Sequence, residues 1–305
     1  GALALLPFAI LPAVDDGYVL DWNVNISYLS SSRDLLRGSG YRQHAPSSNA
    51  TKCAVGSVHE QPSLVIGNPD YGAQHFGHSI AGNSSAHQDV LRGVRGVPFF
   101  QDLPKTRDEA EQVAGMLSKL QGALPLLLMG NAATVSALQS VQSPPILHIA
   151  THGFFLPVSR PATCDDLMNN GRLEDTLGKM ENPMLRSGLA FAGARAWQEG
   201  SLAENGDAGI MTALDICSIN LHDTKLAVLS ACESGLGDLS RGQGVSGLGR
   251  SLMLAGAKCT LLSLWNVDDA STAELMVKFY SESTALDSEA FAEALRAAQR
   301  VLRSR

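Results

Sequence analysis

Five short apolar runs, separated by segments with helical spacing, constrain this chain more than any other feature. They cover residues 63–67, 124–129, Ile146–Ala150, Leu226–Ser230 and 260–264. A continuous apolar run closed by turn residues, as Ser63-Leu64-Val65-Ile66 is by Gly67-Asn68-Pro69, suits a strand buried on both faces. Between such runs, Val113, Met116, Leu117 and Leu120 recur at helical intervals over 105–121, with acidic residues near the start. Asn131 is placed to cap a helix over 132–141. Residues 245–255, 270–280 and 288–303 read as further helices, the last two amphipathic. Residues 187–194 read as an added strand. Strands alternating with helices predict parallel βαβ units, hence an α/β, doubly wound, mostly parallel sheet with helices on both faces. Ligands bind such sheets beyond the C-terminal ends of the strands.

At 305 residues, 45% of them apolar, the chain can form one large domain or one domain with a sizeable extension. Residues 1–60 read as a separate N-terminal part and 61–305 as the core. The first part holds apolar patches at 18–20 and 26–29, taken as short strands, and a helical turn near 32–37. Segments 44–60 and 72–96 are rich in Ser, Gly, Asn and His and read as loops, and 157–183 is a long polar stretch.

Charge and cysteine usage exclude several classes. The net charge of −7, with no run of five like charges, argues against binding a phosphate backbone. The five cysteines are odd in number, and none stand as CxxC, so neither a disulfide framework nor a zinc site is expected. Cys217 and Cys259 read as small buried apolar residues. The apolar opening, residues 1–12, is too short to span a bilayer and has no basic leader, so no membrane association and a cytoplasmic setting are expected. With no initiator Met, the sequence reads as beginning inside a longer chain.

Two segments carry chemistry. In Ile146-Leu147-His148-Ile149-Ala150-Thr151-His152-Gly153, a buried strand runs into His152. In Leu226-Ala227-Val228-Leu229-Ser230-Ala231-Cys232-Glu233-Ser234-Gly235, another runs into Cys232. Alone, each residue is ordinarily structural; together, at matching strand ends and each followed closely by Gly, they form a nucleophile and a base within reach of one rim. A free thiol titrates near ~8.5, so an imidazole must take its proton or stabilise the thiolate. Gly153 allows close backbone approach, and the amides of Gly153 and Cys232 are placed to hold an oxyanion. His148, four residues earlier on the strand, points toward a helix-covered face and reads as structural. The Gly-rich run at 235–244 lacks the Gly-Lys-Ser/Thr ending of a phosphate loop, which makes a nucleotide site improbable.

At these residues the chain resembles the CHAT domain family. The resemblance lies in Thr151-His152-Gly153 and in Ser230-Ala231-Cys232-Glu233-Ser234-Gly235-Leu236-Gly237. It extends to Asn182-Pro183-Met184-Leu185-Arg186-Ser187-Gly188-Leu189, to Gly242-Gln243-Gly244-Val245 and the helix after it, and to Ser263-Leu264-Trp265-Asn266-Val267-Asp268-Asp269. Leu5-Leu6-Pro7-Phe8 and Ser31 to Leu35 resemble the N-terminal part of the domain, so residues 1–60 would belong to the same region.

The resemblance implies a caspase-like fold and cysteine endopeptidase chemistry with no cofactor and no metal, acting on a protein substrate. It implies His152 and Cys232 as the dyad, and association with TPR repeats in cis or in trans. Ser230, two residues before the thiol, is placed to line the specificity pocket, and Asp268 and Asp269 resemble an acidic loop that would favour a basic P1 residue. Asp269 can instead cap the helix that follows, and Trp265 lines the groove or packs its rim. The His-to-Cys interval, 80 residues, exceeds the roughly 50 of caspases. Ser-Ala-Cys-Glu also replaces the caspase Gln-Ala-Cys, so a preference for Asp at P1 does not follow. The alternative to a peptidase is a catalytically silent scaffold that changes shape with its partner.

Overall fold

The computed structural model describes residues 11, 18–22, 24, 61–72, 100–155, 183–198, 207, 209–231, 243–263 and 269–303. After a 3-10 turn at Val19–Asp21, the elements run β1 (Leu64–Pro69), α1 (Pro104–Gln121), β2 (Leu126–Gly130), α2 (Val135–Gln139), β3 (Ile146–Ala150) and β4 (Gly153–Phe155). They continue with α3 (Pro183–Arg186), β5 (Ser187–Ala190), α4 (Ala194–Gln198), β6 (Ile210–Thr212), α5 (Ala213–Ile216) and β7 (Leu226–Ser230). The chain then forms α6 (Gln243–Ala255), β8 (Cys259–Leu262), α7 (Asp269–Glu282) and α8 (Ser288–Arg303).

The five apolar runs form one parallel sheet in the order β2-β1-β3-β7-β8. Side chains alternate across it. Leu64, Ile66, Leu147, Ile149, Ala227 and Leu229 turn to one face, against Leu138 of α2, Ile216 of α5, and Leu248 and Leu252 of α6. Val65, Ile146 and Val228 turn to the other, against Val113 and Leu117 of α1, Met276 and Phe279 of α7, and Phe291 of α8. With both faces covered, every residue of β3 and β7 is buried. Each fully buried Leu, Ile or Val contributes roughly 1.5–3 kcal/mol. The packing is tight where α1 crosses β1: a Cβ at Gly67 would stand 2.5 Å from Ala110 Cβ and 2.7 Å from the Thr106 carbonyl oxygen, so only glycine admits that approach. This is the α/β doubly wound arrangement expected from the alternation of runs, and it agrees with the caspase-like fold that the resemblance implies.

A second, antiparallel sheet, β4-β5-β6, follows β3 directly and sits at the C-terminal rim of the first. The residues after β5 dock on the loops at that rim. Ala192 N–H donates to Ala133 C=O, Gly193 N–H to Asp70 C=O and Arg195 N–H to Tyr71 C=O, each at 2.9 Å.

Several local expectations change. The run 18–20 is the edge of a 3-10 turn and not a strand, because Asp21 N–H and Trp22 N–H close back on Tyr18 and Val19. Helix α2 starts at Val135 with Thr134 as its cap, and not at 132 under Asn131. Ala132 and Ala133 are held in a turn on Met129 and Gly130, and the Thr134 hydroxyl accepts from Ala137 N–H at 3.1 Å. The added strand ends at Ala190, and β4 and β6, too short for a periodic signal, are not evident from the sequence. The readings at 26–29, 32–37, 44–60, 73–96 and 157–182 lie outside the described residues.

Candidate active site

His152 stands two residues past the end of β3, the central strand, where the sheet order reverses between β1 and β3. Its imidazole is held on three sides. The Tyr71 ring lies 5.2 Å away, centroid to centroid, at 47°, and the Phe100 ring 5.6 Å away at 40°. At the third side, His152 Nε2 is 2.7 Å from the carbonyl oxygen of Gln101. A carbonyl only accepts, so Nε2 carries the proton, and in the neutral ring Nδ1 keeps its lone pair. This is the tautomer a general base needs.

The backbone at His152 is fixed by a directional chain. The Thr151 hydroxyl donates to the Ala190 carbonyl oxygen, so it must accept from the Tyr71 phenol, 2.9 Å away. Tyr71 Oη in turn accepts from His152 N–H at 3.3 Å. Burial pushes the Tyr71 phenol far above its ordinary range, which keeps it protonated and able to donate. Tyr71 has no solvent exposure, so this chain is shielded from water.

On the other side of His152, Ala190 N–H donates to the His152 carbonyl at 2.9 Å. Gly153 and Leu189 are therefore a pair that exchanges no bonds of its own, and the Gly153 amide points away from β5.

The second strand end lies beside the first. Ile149 pairs with Leu229 and Ala150 with Ser230 across β3 and β7. Ser230 is the last residue of β7 and is buried, as is Ala231, which packs in the core below the rim. Cys232 is the next residue in the chain and lies outside the described residues, as do Trp265 and Asp268. Asp269 is the first residue of α7, one position inside the helix and not its cap, and a carboxylate in that first turn is stabilised by the helix dipole.

His148, as expected, is structural. It is fully buried on the α1–α7 face, with Nδ1 3.2 Å from Tyr280 Oη and Nε2 3.1 Å from Glu109 Oε1, the latter contact not aligned as a hydrogen bond. Cys217 and Cys259 are only half-buried, and partial burial raises both thiols above the ordinary value.

Sequence reasoning did not reach Tyr71, Phe100, Gln101 or Arg195. Tyr71 had a usable signal, since it directly follows the Asn-Pro-Asp stop of β1 at the reversal of strand order. Gln101 had none, because it acts through a carbonyl that every residue possesses. Among the described residues, no group of three or more His, Cys, Asp or Glu side chains could hold a metal ion, and no helix is long and apolar enough to cross a membrane.

Comparison with known proteins agrees with the resemblance. The family model of the CHAT domain matches residues 1–305, the whole chain. No curated protein and no solved structure matches it.

Proposed function

The chain belongs to the CHAT domain family, a caspase-like family, and from that premise we propose that it is a cysteine endopeptidase acting through His152 and Cys232. The observation that carries the proposal is the 2.7 Å contact of His152 Nε2 with the Gln101 carbonyl oxygen, which assigns the proton to Nε2 and leaves the lone pair of the neutral ring on Nδ1. It is supported by the strand register, which pairs Ala150 with Ser230 two residues before each member of the dyad.

The chemistry follows. Nδ1 takes the proton of the Cys232 thiol, and the thiolate attacks the carbonyl carbon of the scissile peptide. The developing oxyanion is held by the amides of Gly153 and Cys232; the outward direction of the Gly153 N–H favours this role. The imidazolium, stabilised through Nε2–H by Gln101, gives its new proton to the leaving amine, and the C–N bond breaks to leave a thioester. Water, deprotonated by Nδ1, then attacks the thioester carbonyl carbon; the C–S bond breaks, the acyl part leaves as a carboxylic acid, and the imidazolium returns its proton to the thiolate.

Ser230, small and buried at the end of β7, and Trp265 are proposed to line the P1 pocket. The position of Asp269 inside α7 favours its helix-terminus role, which leaves Asp268 as the carboxylate proposed to select a basic P1 residue. Control by TPR repeats, in cis or in trans, belongs to the same proposal.

The test compares the chain with its C232A variant on a mixed peptide library read by mass spectrometry. Loss of all cleavage in C232A with unchanged folding supports the proposal. Undiminished cleavage overturns it. An iodoacetamide-tagged peptide that labels Cys232 no faster than the other four thiols would favour the silent scaffold.

A further inference from the structure

We infer that Arg195 is a positioning residue for His152, holding the Gln101 carbonyl where it selects the productive tautomer. The inference rests on the reading of His152 as the general base, and it names what keeps that base in its working state.

The residues 100–103 that carry the Gln101 carbonyl belong to no strand or helix. A segment without regular structure needs outside partners for its polar groups. Arg195 provides them on both sides of Gln101. Its Nε–H donates to the Phe100 carbonyl at 2.8 Å, and its Nη2–H to Asp102 Oδ1 at 2.8 Å. Nη1–H donates to the Gly72 carbonyl, and the backbone N–H of Arg195 to the Tyr71 carbonyl at 2.9 Å. One guanidinium thus binds the residue before Gln101, the residue after it, and the residue after Tyr71. The three groups that confine the imidazole are the Tyr71 ring, the Phe100 ring and the Gln101 carbonyl, and each belongs to a segment that Arg195 ties down.

Arginine suits this task. Its planar fork presents donors in fixed, divergent directions, whereas an ammonium is a point charge on a flexible stem. Arg195 is buried, while Asp102 is 75% exposed. The ion pair itself therefore contributes little. The fixed geometry of the carbonyl contacts is what the site gains.

A residue that merely stabilised a loop would lower the melting temperature and nothing else. A positioning residue moves the chemistry. R195K keeps the charge and loses the fork. With the Gln101 carbonyl no longer held, the imidazolium form of His152 is less stabilised, so the Cys232 thiolate forms at higher pH.

The probe is iodoacetamide, with alkylation of Cys232 followed by mass spectrometry from pH 5 to 10 on the full chain. R195K is expected to move the midpoint upward by about half a pH unit or more, and D102A in the same direction by less. On any peptide the wild type cleaves, kcat should fall about tenfold in R195K, with KM little changed, because substrate binding is untouched. D102A removes the Oδ1 acceptor that anchors the residue after Gln101, at an exposed position where the fold tolerates it, so it decides the matter if R195K does not fold. A wild-type alkylation profile and kcat in these variants would overturn the inference, even if C232A has already verified the peptidase reading. If C232A cleaves as the wild type does, the peptidase reading itself has failed, and this inference falls with it.

Discussion

Ala150 of β3 and Ser230 of β7 are register partners in a parallel pair, and His152 and Cys232 each follow two residues later in sequence. Parallel neighbours lie about 4.8 Å apart, so the two strand ends, Ala150 and Ser230, stand side by side. Replacing His152 removes the proposed base and leaves the strands alone. H152A is expected to lower kcat/KM by about 10²–10⁴-fold, with chemical denaturation changed little, since the ring is only partly buried. Steady-state kinetics on a cleaved peptide check this.

The thiols should separate by reactivity. Partial burial raises those of Cys217 and Cys259, so the folded chain keeps them protonated to higher pH than a free cysteine. The sign follows from their titration as acids. The neutral form favours the folded state below the ordinary thiol range, and this preference is lost as pH rises through the raised values. At neutral pH, iodoacetamide is expected to alkylate both more slowly than free cysteine, and Cys232 faster than either. Peptide mapping over a time course measures the order; equal rates at all three would count against an activated Cys232.

Tyr71 serves structure and site together. Y71F keeps the ring against His152 and removes the hydroxyl that links His152 N–H to Thr151. Two buried polar groups then lose a partner, at about 1–3 kcal/mol of stability. Urea unfolding is expected to show that loss. Activity should fall less than in H152A, because the Gln101 contact survives.

Glu109 and His148 test the opposite face of β3. Both are nearly without exposure, and they meet at 3.1 Å between α1 and the sheet. E109A leaves the imidazole without its carboxylate and opens a cavity beside it. A loss of about 2 kcal/mol, from the cavity, is expected by denaturant unfolding, and any effect on catalysis should follow the folded fraction.

Much of this molecule is written in local pattern. The run Ile146–Ala150 needs no partner to be recognised as a strand: four of its five residues are apolar and are disfavoured in water, and a strand buried on both faces accommodates them. The same holds for Leu226–Ser230, and for α8, whose spacing marks it from Ser288 to Arg303. The motif residues His152 and Cys232 stand out because a reactive side chain after such a run meets the rim of a sheet. Helix α2 shows the limit of local pattern. Asn131 and Thr134 are both good caps, and the turn on Met129 and Gly130 decided for Thr134.

What the sequence alone determined is the inventory: five parallel strands, the longer helices that cover them, and a histidine and a cysteine at two strand ends. Those follow from hydrophobic burial and chain direction, which act over a few residues. Only the tertiary structure decided that β3 and β7 are neighbours, that Tyr71 and Phe100 flank the imidazole, and that the carbonyl of Gln101, steadied by Arg195, sets its tautomer. Those contacts join residues 50 to 100 positions apart through backbone groups and shared geometry. A carbonyl oxygen is the same in every residue, so its role exists only once the chain has folded around it.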